Sequence, residues 1–291
     1  MTEILKTLVE AAPPGRTRRI PQMGMTAKIA LTILMVIVIL TVIAPWIVPH
    51  DPLQMDPLAR LKGPSLDHLL GTDNFGRDLL SRIMIGGRLS LMIGVATACV
   101  SVGLGLILGL VAGFFRRADA VIMRLMDALM AIPSILLAIA LVALNGASVG
   151  SVIAAITLPE IPRVVRVVRA VILSAREEPY VEAAISLGSR TPLILFRHLL
   201  PNTLAPLIVQ GTYILASAIL AEAVLSFLGA GVSTETPTWG NIMAEGRMFF
   251  RIKPELILFP GLVLSLCILS VNLLGDAARD MLDPRLRKSA R

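Results

Sequence analysis

Apolar residues come in long blocks along this chain, with the polar residues gathered between them. A block of roughly 20 mostly apolar residues crosses about 30 Å of hydrocarbon as a helix. Residues 29–48 and 89–115 are such blocks, with no charge in either. From Ala128 to Pro159 there is again no charge, a run too long for one crossing, and Asn145-Gly146 offers a turn near its middle. Two crossings are expected there, over 126–144 and 148–170. Residues 203–228 and 256–275 make the fifth and sixth. The expected fold is all-α, a polytopic membrane protein with six transmembrane helices. The first block is too long for the apolar part of a secretory signal and has no small-x-small cleavage site, so it is expected to stay as a span.

Composition agrees. Of 291 residues, 55% are hydrophobic and 16% charged, against about 25% charged in a soluble domain. The net charge of +7 does not point to nucleic acid. The basic residues flank apolar blocks, and aromatics, at 4%, leave little for bases to stack on. Nineteen of the 27 basic residues fall on one face of a six-span arrangement: in the N-terminal arm, the turn between spans two and three, the segment 163–202, and the tail from Arg279. Segments 49–88 and 230–255 lie on the other face, and there acids balance bases. By the positive-inside rule both termini and 163–202 are cytoplasmic. The expected organisation is a cytoplasmic arm (1–28), a first span (29–48), a periplasmic segment (49–88) with a short helix before the second span, a five-helix core (89–278) and a cytoplasmic tail (279–291). Trp239, in the turn-rich stretch 230–255, is expected at the membrane interface.

Within the core, 173–202 is too charged to span. Pro179 follows two acids and suits a first helical position at the positive end of a helix dipole. Gly188 stands where a left-handed C-terminal cap would go. Thr191-Pro192 repeats the start signal, and Pro201 is expected to end the second short helix at Leu200. The two helices form an elbow at Gly188-Ser189-Arg190. Ala183, Ala184, Leu187 and Gly188 are expected on one face with little bulk, open to a docking partner, with Glu182 at its edge. A helix lying at the headgroups is the bland alternative.

The run Glu182-Ala183-Ala184, three residues, Gly188, then Leu200-Pro201 resembles the EAA loop of ABC importer permeases. "FRHLLPN" (196–202) is similar to the dipeptide/oligopeptide/nickel branch of that family. "HLLGTDNFGRDLLSRIMIGGRLSLMIG" (68–94), "AEAVLSFLGAGV" with "PTWGN", and "GDAARDMLDPRLR" (275–287) resemble further stretches of its C-type subunits, in the same order. The family's pattern has Pro at the position of Leu69, and Glu160 is an unusual charge in its setting. The resemblance implies a type I importer permease fold in a bacterial inner membrane. It also implies a homologous second permease subunit in a heterodimer, two cytoplasmic ATPase subunits, and a periplasmic or lipid-anchored substrate-binding protein. In this reading Glu182, Ala183, Ala184, Leu187, Gly188, Leu200 and Pro201 receive the ATPase. Peptide, nickel and glutathione systems share these motifs, so the substrate is left open.

No G-x-x-x-x-G-K-[ST] and no Gly-Lys dipeptide occurs, so hydrolysis is expected on another polypeptide. No catalytic constellation and no cofactor is expected. Cys99 and Cys267 sit inside apolar runs and read as buried small side chains. His50, His68 and His198 fall on both sides of the membrane and cannot make one metal site. Glu222 is the foremost intramembrane acid and the candidate for the translocation path, with a hydrogen bond inside the bundle as the alternative. A proton-coupled secondary transporter is the competing class. It needs coupled intramembrane acids, and only Glu222 qualifies. Arg163, Arg166 and Arg169, spaced by three, are expected to meet anionic headgroups. Gly105, Gly109 and Gly113, spaced by four, are expected to let helices pack closely.

Overall fold

The computed structural model describes residues 24–282 apart from Thr234. Most of the expected N-terminal arm, and the tail beyond Leu282, lie outside the described residues. Nine helices carry the described chain: α1 (Met25–Ile47), α2 (Leu79–Phe114), α3 (Arg116–Ala131), α4 (Ser134–Asn145), α5 (Val149–Arg176), α6 (Pro179–Ser186), α7 (Thr191–Phe227), α8 (Trp239–Gly246) and α9 (Glu255–Leu282). No strand occurs among the described residues, only an isolated bridge between Thr72 and Asp78. The all-α expectation is met. Four helices, α1, α2, α7 and α9, are long and apolar enough to cross a membrane, and α3 with α4 as one broken span makes a fifth. The remaining expected crossing, α5, has 28 residues but carries Glu160, Arg163, Arg166 and Arg169 within its length.

Three elements depart from the sequence reading. The expected span 126–144 is not one straight helix, because α3 and α4 meet at a 90° bend. Pro133 causes it: the residue before a proline is pushed out of helical geometry, and Ile132 is extended, at φ −94° and ψ 128°. The 12 residues of α4 reach only about 18 Å. Second, no separate short helix precedes the second span. Helix α2 starts at Leu79, capped by Asp78, whose Oδ2 accepts from the Ser81 N–H at 2.8 Å. The segment before it holds one 3-10 turn at Pro57–Ala59. Third, Pro201 does not end a helix. Residues Ile194–Leu199 widen into a π-helix, and the Leu200 N–H reaches the Leu195 carbonyl. The Asn202 side chain donates to the His198 carbonyl at 2.7 Å. With its carbonyls re-partnered in this way, α7 runs through the proline.

Helix α2 packs lengthwise on α5 through the three glycines. A Cβ on Gly109 would stand 2.6 Å from Val168 Cβ, and one on Gly113 2.6 Å from Ile172 Cβ; Gly105 faces Val164 in the same register. The four-residue spacing of small residues on one helix meets four-residue spacing of β-branched residues on the other. At one end of the bundle, Val164, Val168 and Ile172 join Val181, Ile194 and Leu199 in one apolar cluster. Leu79, Ile83, Ile219, Leu256 and Trp239 form another at the opposite end. Trp239 is fully buried there, and its indole N–H donates to the Ile83 carbonyl at 3.0 Å. The expected interfacial Trp is thus a core residue, because α8 folds back onto α2, α7 and α9.

Candidate functional site

The elbow forms as the turn chemistry requires. Pro179 occupies the first turn of α6. Gly188 has φ +73°, a left-handed conformation that costs other L-residues about 1–2 kcal/mol. The Gly188 N–H bonds the Ile185 carbonyl at 2.9 Å and the Ser189 N–H the Ala184 carbonyl at 3.1 Å, the paired closure of a Schellman cap. No atom lies within 4 Å of a Cβ built on Gly188, so backbone geometry alone calls for glycine. The expected shared face divides. Ala184 is buried with Val181, while Glu182, Ala183, Leu187 and Gly188 are exposed, Leu187 by 86%. Adjacent helical positions lie about 100° apart, which turns Ala184 into the bundle and Ala183 out. Leu200 is half-buried and Pro201 exposed. Asn202 Nδ2 donates to the Tyr180 hydroxyl at 3.0 Å, tying the start of α6 to α7.

Arg163, Arg166 and Arg169 of α5 are paired within the chain. Arg166 Nη2 donates to Asp127 Oδ1 at 2.6 Å and Arg169 Nη2 to Asp119 Oδ2 at 2.7 Å, so two of the three bind α3. Arg163 Nη1 instead donates to both oxygens of Glu160, at 2.9 and 3.0 Å. Single spacing rules could not find the α3 partners, because their position depends on the bend at Pro133.

Glu222 has no exposed surface. Its Oε2 accepts from Ser90 Oγ at 3.0 Å and its Oε1 from Ser226 Oγ at 2.9 Å. Glu160, the acid within α5, opens onto a cavity. A cavity of about 330 Å³ lies between α5, α7 and α9, and its polar lining is Glu160, Arg163, Gln210, Tyr213, Ser217 and Asn272.

At the end of the bundle opposite the elbow, Asp73 and Glu245 are bridged by two arginines. Arg77 Nε donates to Asp73 Oδ2 at 2.6 Å, and Arg82 donates to Glu245 Oε2 at 2.7 Å and Oε1 at 3.1 Å. Arg77 also reaches Glu245, and Arg82 also reaches Asp73. This buried network of two acids and two bases pins the segment before α2 to α8. Of its ion pairs only Asp73 and Arg77 are near neighbours in sequence, brought together by the turn before α2. Nearby, His68 Nδ1 lies 3.0 Å from Asp78 Oδ1, and the His50 and His68 rings are 4.7 Å apart. These three side chains bring ligand atoms within 4.8 Å of one another and could hold a divalent ion. The third member is Asp78; His198 lies at the elbow.

A bundle of apolar helices of membrane-crossing length, with a capped elbow at one end, is the architecture of a multi-span membrane protein. The chain belongs to the family of binding-protein-dependent transport system inner membrane components, whose model matches residues 101–288. Residues 25–64 match the N-terminal transmembrane domain of oligopeptide transport permease C. A probable peptide ABC transporter permease of Sinorhizobium fredii is 50% identical over 238 residues, 82% of each chain. A di/tripeptide transport system permease of Pseudomonas aeruginosa is 42% identical over 89% of this chain and 88% of its own. A glutathione transport system permease of Pectobacterium atrosepticum is 39% identical over 84% of this chain and 82% of its own. The inward-facing MetNI methionine ABC transporter shares the fold, with a TM-score of 0.50 at 20% identity over 67% of this chain and 95% of its own. The protein is therefore a multi-pass permease subunit of an ABC importer, from a family that is not one of catalytic enzymes.

Proposed function

We propose that the chain forms half of a translocation path for peptides or related small solutes, paired with a homologous permease chain and driven by two ATPase subunits that dock on α6. The observation that carries this reading is the elbow. Helix α6 is short, rigidly capped, tied to α7 by Asn202, and anchored by Val181 in the same apolar cluster as the C-terminal half of α5. It still presents Glu182, Ala183 and Leu187 outward. A partner that pulls on α6 moves α5 and α7 with it, since packed interiors transmit displacement rather than absorb it. The names of the relatives support peptides as the solute class. The uneven distribution of basic residues supports a cytoplasmic elbow and termini, with residues 49–78 and α8 facing an external binding protein.

The test is a complex reconstituted with its ATPase subunits, binding protein and sister permease. Gly188→Val and Glu182→Lys should give chains that insert and pair, yet retain less ATPase on purification or hydrolyse ATP without transport. Wild-type ATPase retention and uptake in both variants would leave α6 a headgroup-lying connector.

A further inference from the structure

The cavity between α5, α7 and α9 lies near the middle of the bundle's depth. Glu160 is eleven residues into α5 and Ser217 ten residues from the end of α7, so both stand about 15–17 Å along their helices from the same end of the bundle. A charged or strongly polar group at that depth is expensive against lipid and marks a water-filled or protein-covered face. Six polar side chains from three helices converge there. Arg163 is half-exposed, while the Glu160 side chain is only 9% exposed. Arg166 and Arg169 are held by acids on α3, and Arg176 donates to the Phe114 carbonyl. Arg163 and its partner are the pair left on the α7/α9 side.

We infer that Glu160 and Arg163 form the charge-recognition element of the translocation path, taking the ammonium and carboxylate of a zwitterionic solute such as a short peptide. This rests on the permease reading above. Only Nη1 of Arg163 is engaged by Glu160, so the rest of its planar fork of donors can meet a carboxylate. Glu160 also accepts from Ser217 Oγ at 3.3 Å, which keeps its second acceptor directions beside the cavity. At about 330 Å³ the space is at the low end of the range for small-molecule sites, about 300–1,000 Å³, as befits half of a site completed by another chain. An acid and a base already neutralising each other can exchange partners with a zwitterion while the net charge stays at zero. Passage calls for this kind of contact: favourable enough to admit the solute, weak enough to release it.

The experiment uses the full reconstituted complex in proteoliposomes and a pool of di- to pentapeptides, supplied with free termini, N-acetylated or C-amidated. Glu160→Gln should slow uptake of free peptides at least tenfold and reduce the preference for a free over an acetylated N-terminus. Arg163→Gln should do the same for a free over an amidated C-terminus. The double variant, Glu160→Gln with Arg163→Gln, has no unpaired charge and should remain as slow as either single variant. Wild-type uptake in the single variants, unchanged terminus preferences, or recovery in the double variant would each overturn the inference, the last by showing a purely structural ion pair. No ATP-dependent uptake by the wild-type complex would instead overturn the peptide-permease reading on which it rests.

Discussion

Glu222 and Gly188 illustrate what single positions contribute. The Glu222 carboxylate accepts from Ser90 and Ser226, and Ser90 in turn accepts from the Trp239 backbone N–H at 3.3 Å. This chain of bonds joins α2, α7 and α8. Truncation leaves buried hydroxyls without partners, at about 1–3 kcal/mol each. Glu222→Ala should therefore lower the melting temperature of the purified transporter clearly, and Glu222→Gln less. An unchanged melting temperature with lost transport would put the carboxylate on the path instead. At Gly188 the requirement is a positive φ with open space around it, so Gly188→Asn, which tolerates the left-handed region, should keep ATPase retention where Gly188→Val loses it. A sensitivity to Asn equal to that to Val would point to direct contact with a partner rather than to the cap.

Among the elements, the α2/α5 seam was legible in the sequence because Gly105, Gly109 and Gly113 carry their meaning in their own spacing. Gly109→Leu should drive α2 from Val168 and cut the yield of assembled complex, and Val168→Ala in the same chain should recover part of it. No recovery would mean the contact is not local. The elbow was legible for the same reason, since Pro179 and Gly188 fix local geometry. The bend at Pro133 left a local mark too, but the uncharged run from Ala128 to Pro159 favoured a straight crossing. The ion pairs Asp127–Arg166 and Glu245–Arg82 join residues 39 and 163 positions apart. They follow from the fold and could not be read before it. Breaking a buried pair on one side costs about 3–5 kcal/mol. Glu245→Ala should thus release the segment before α2 from α8, read as faster proteolysis within residues 49–78. Unchanged cleavage would show that the network does not hold it.

For the whole molecule, function depends on its orientation in the membrane and on its coupling surface. In a background with Cys99 and Cys267 replaced, a cysteine at Ser233 should react with an impermeant thiol reagent from outside the cell and one at Ser189 should not. The reverse pattern would invert the topology. The coupling surface is tested most directly at Leu187, which is 86% exposed and has no role in the core. A photo-crosslinking residue placed there, in the complete transporter in its membrane, should capture the ATPase subunit in high yield, and the yield should change between nucleotide-free and ATP-bound states. Crosslinks to lipid alone, with the ATPase present and active, would contradict the claim that α6 is the joint through which ATP hydrolysis moves this chain.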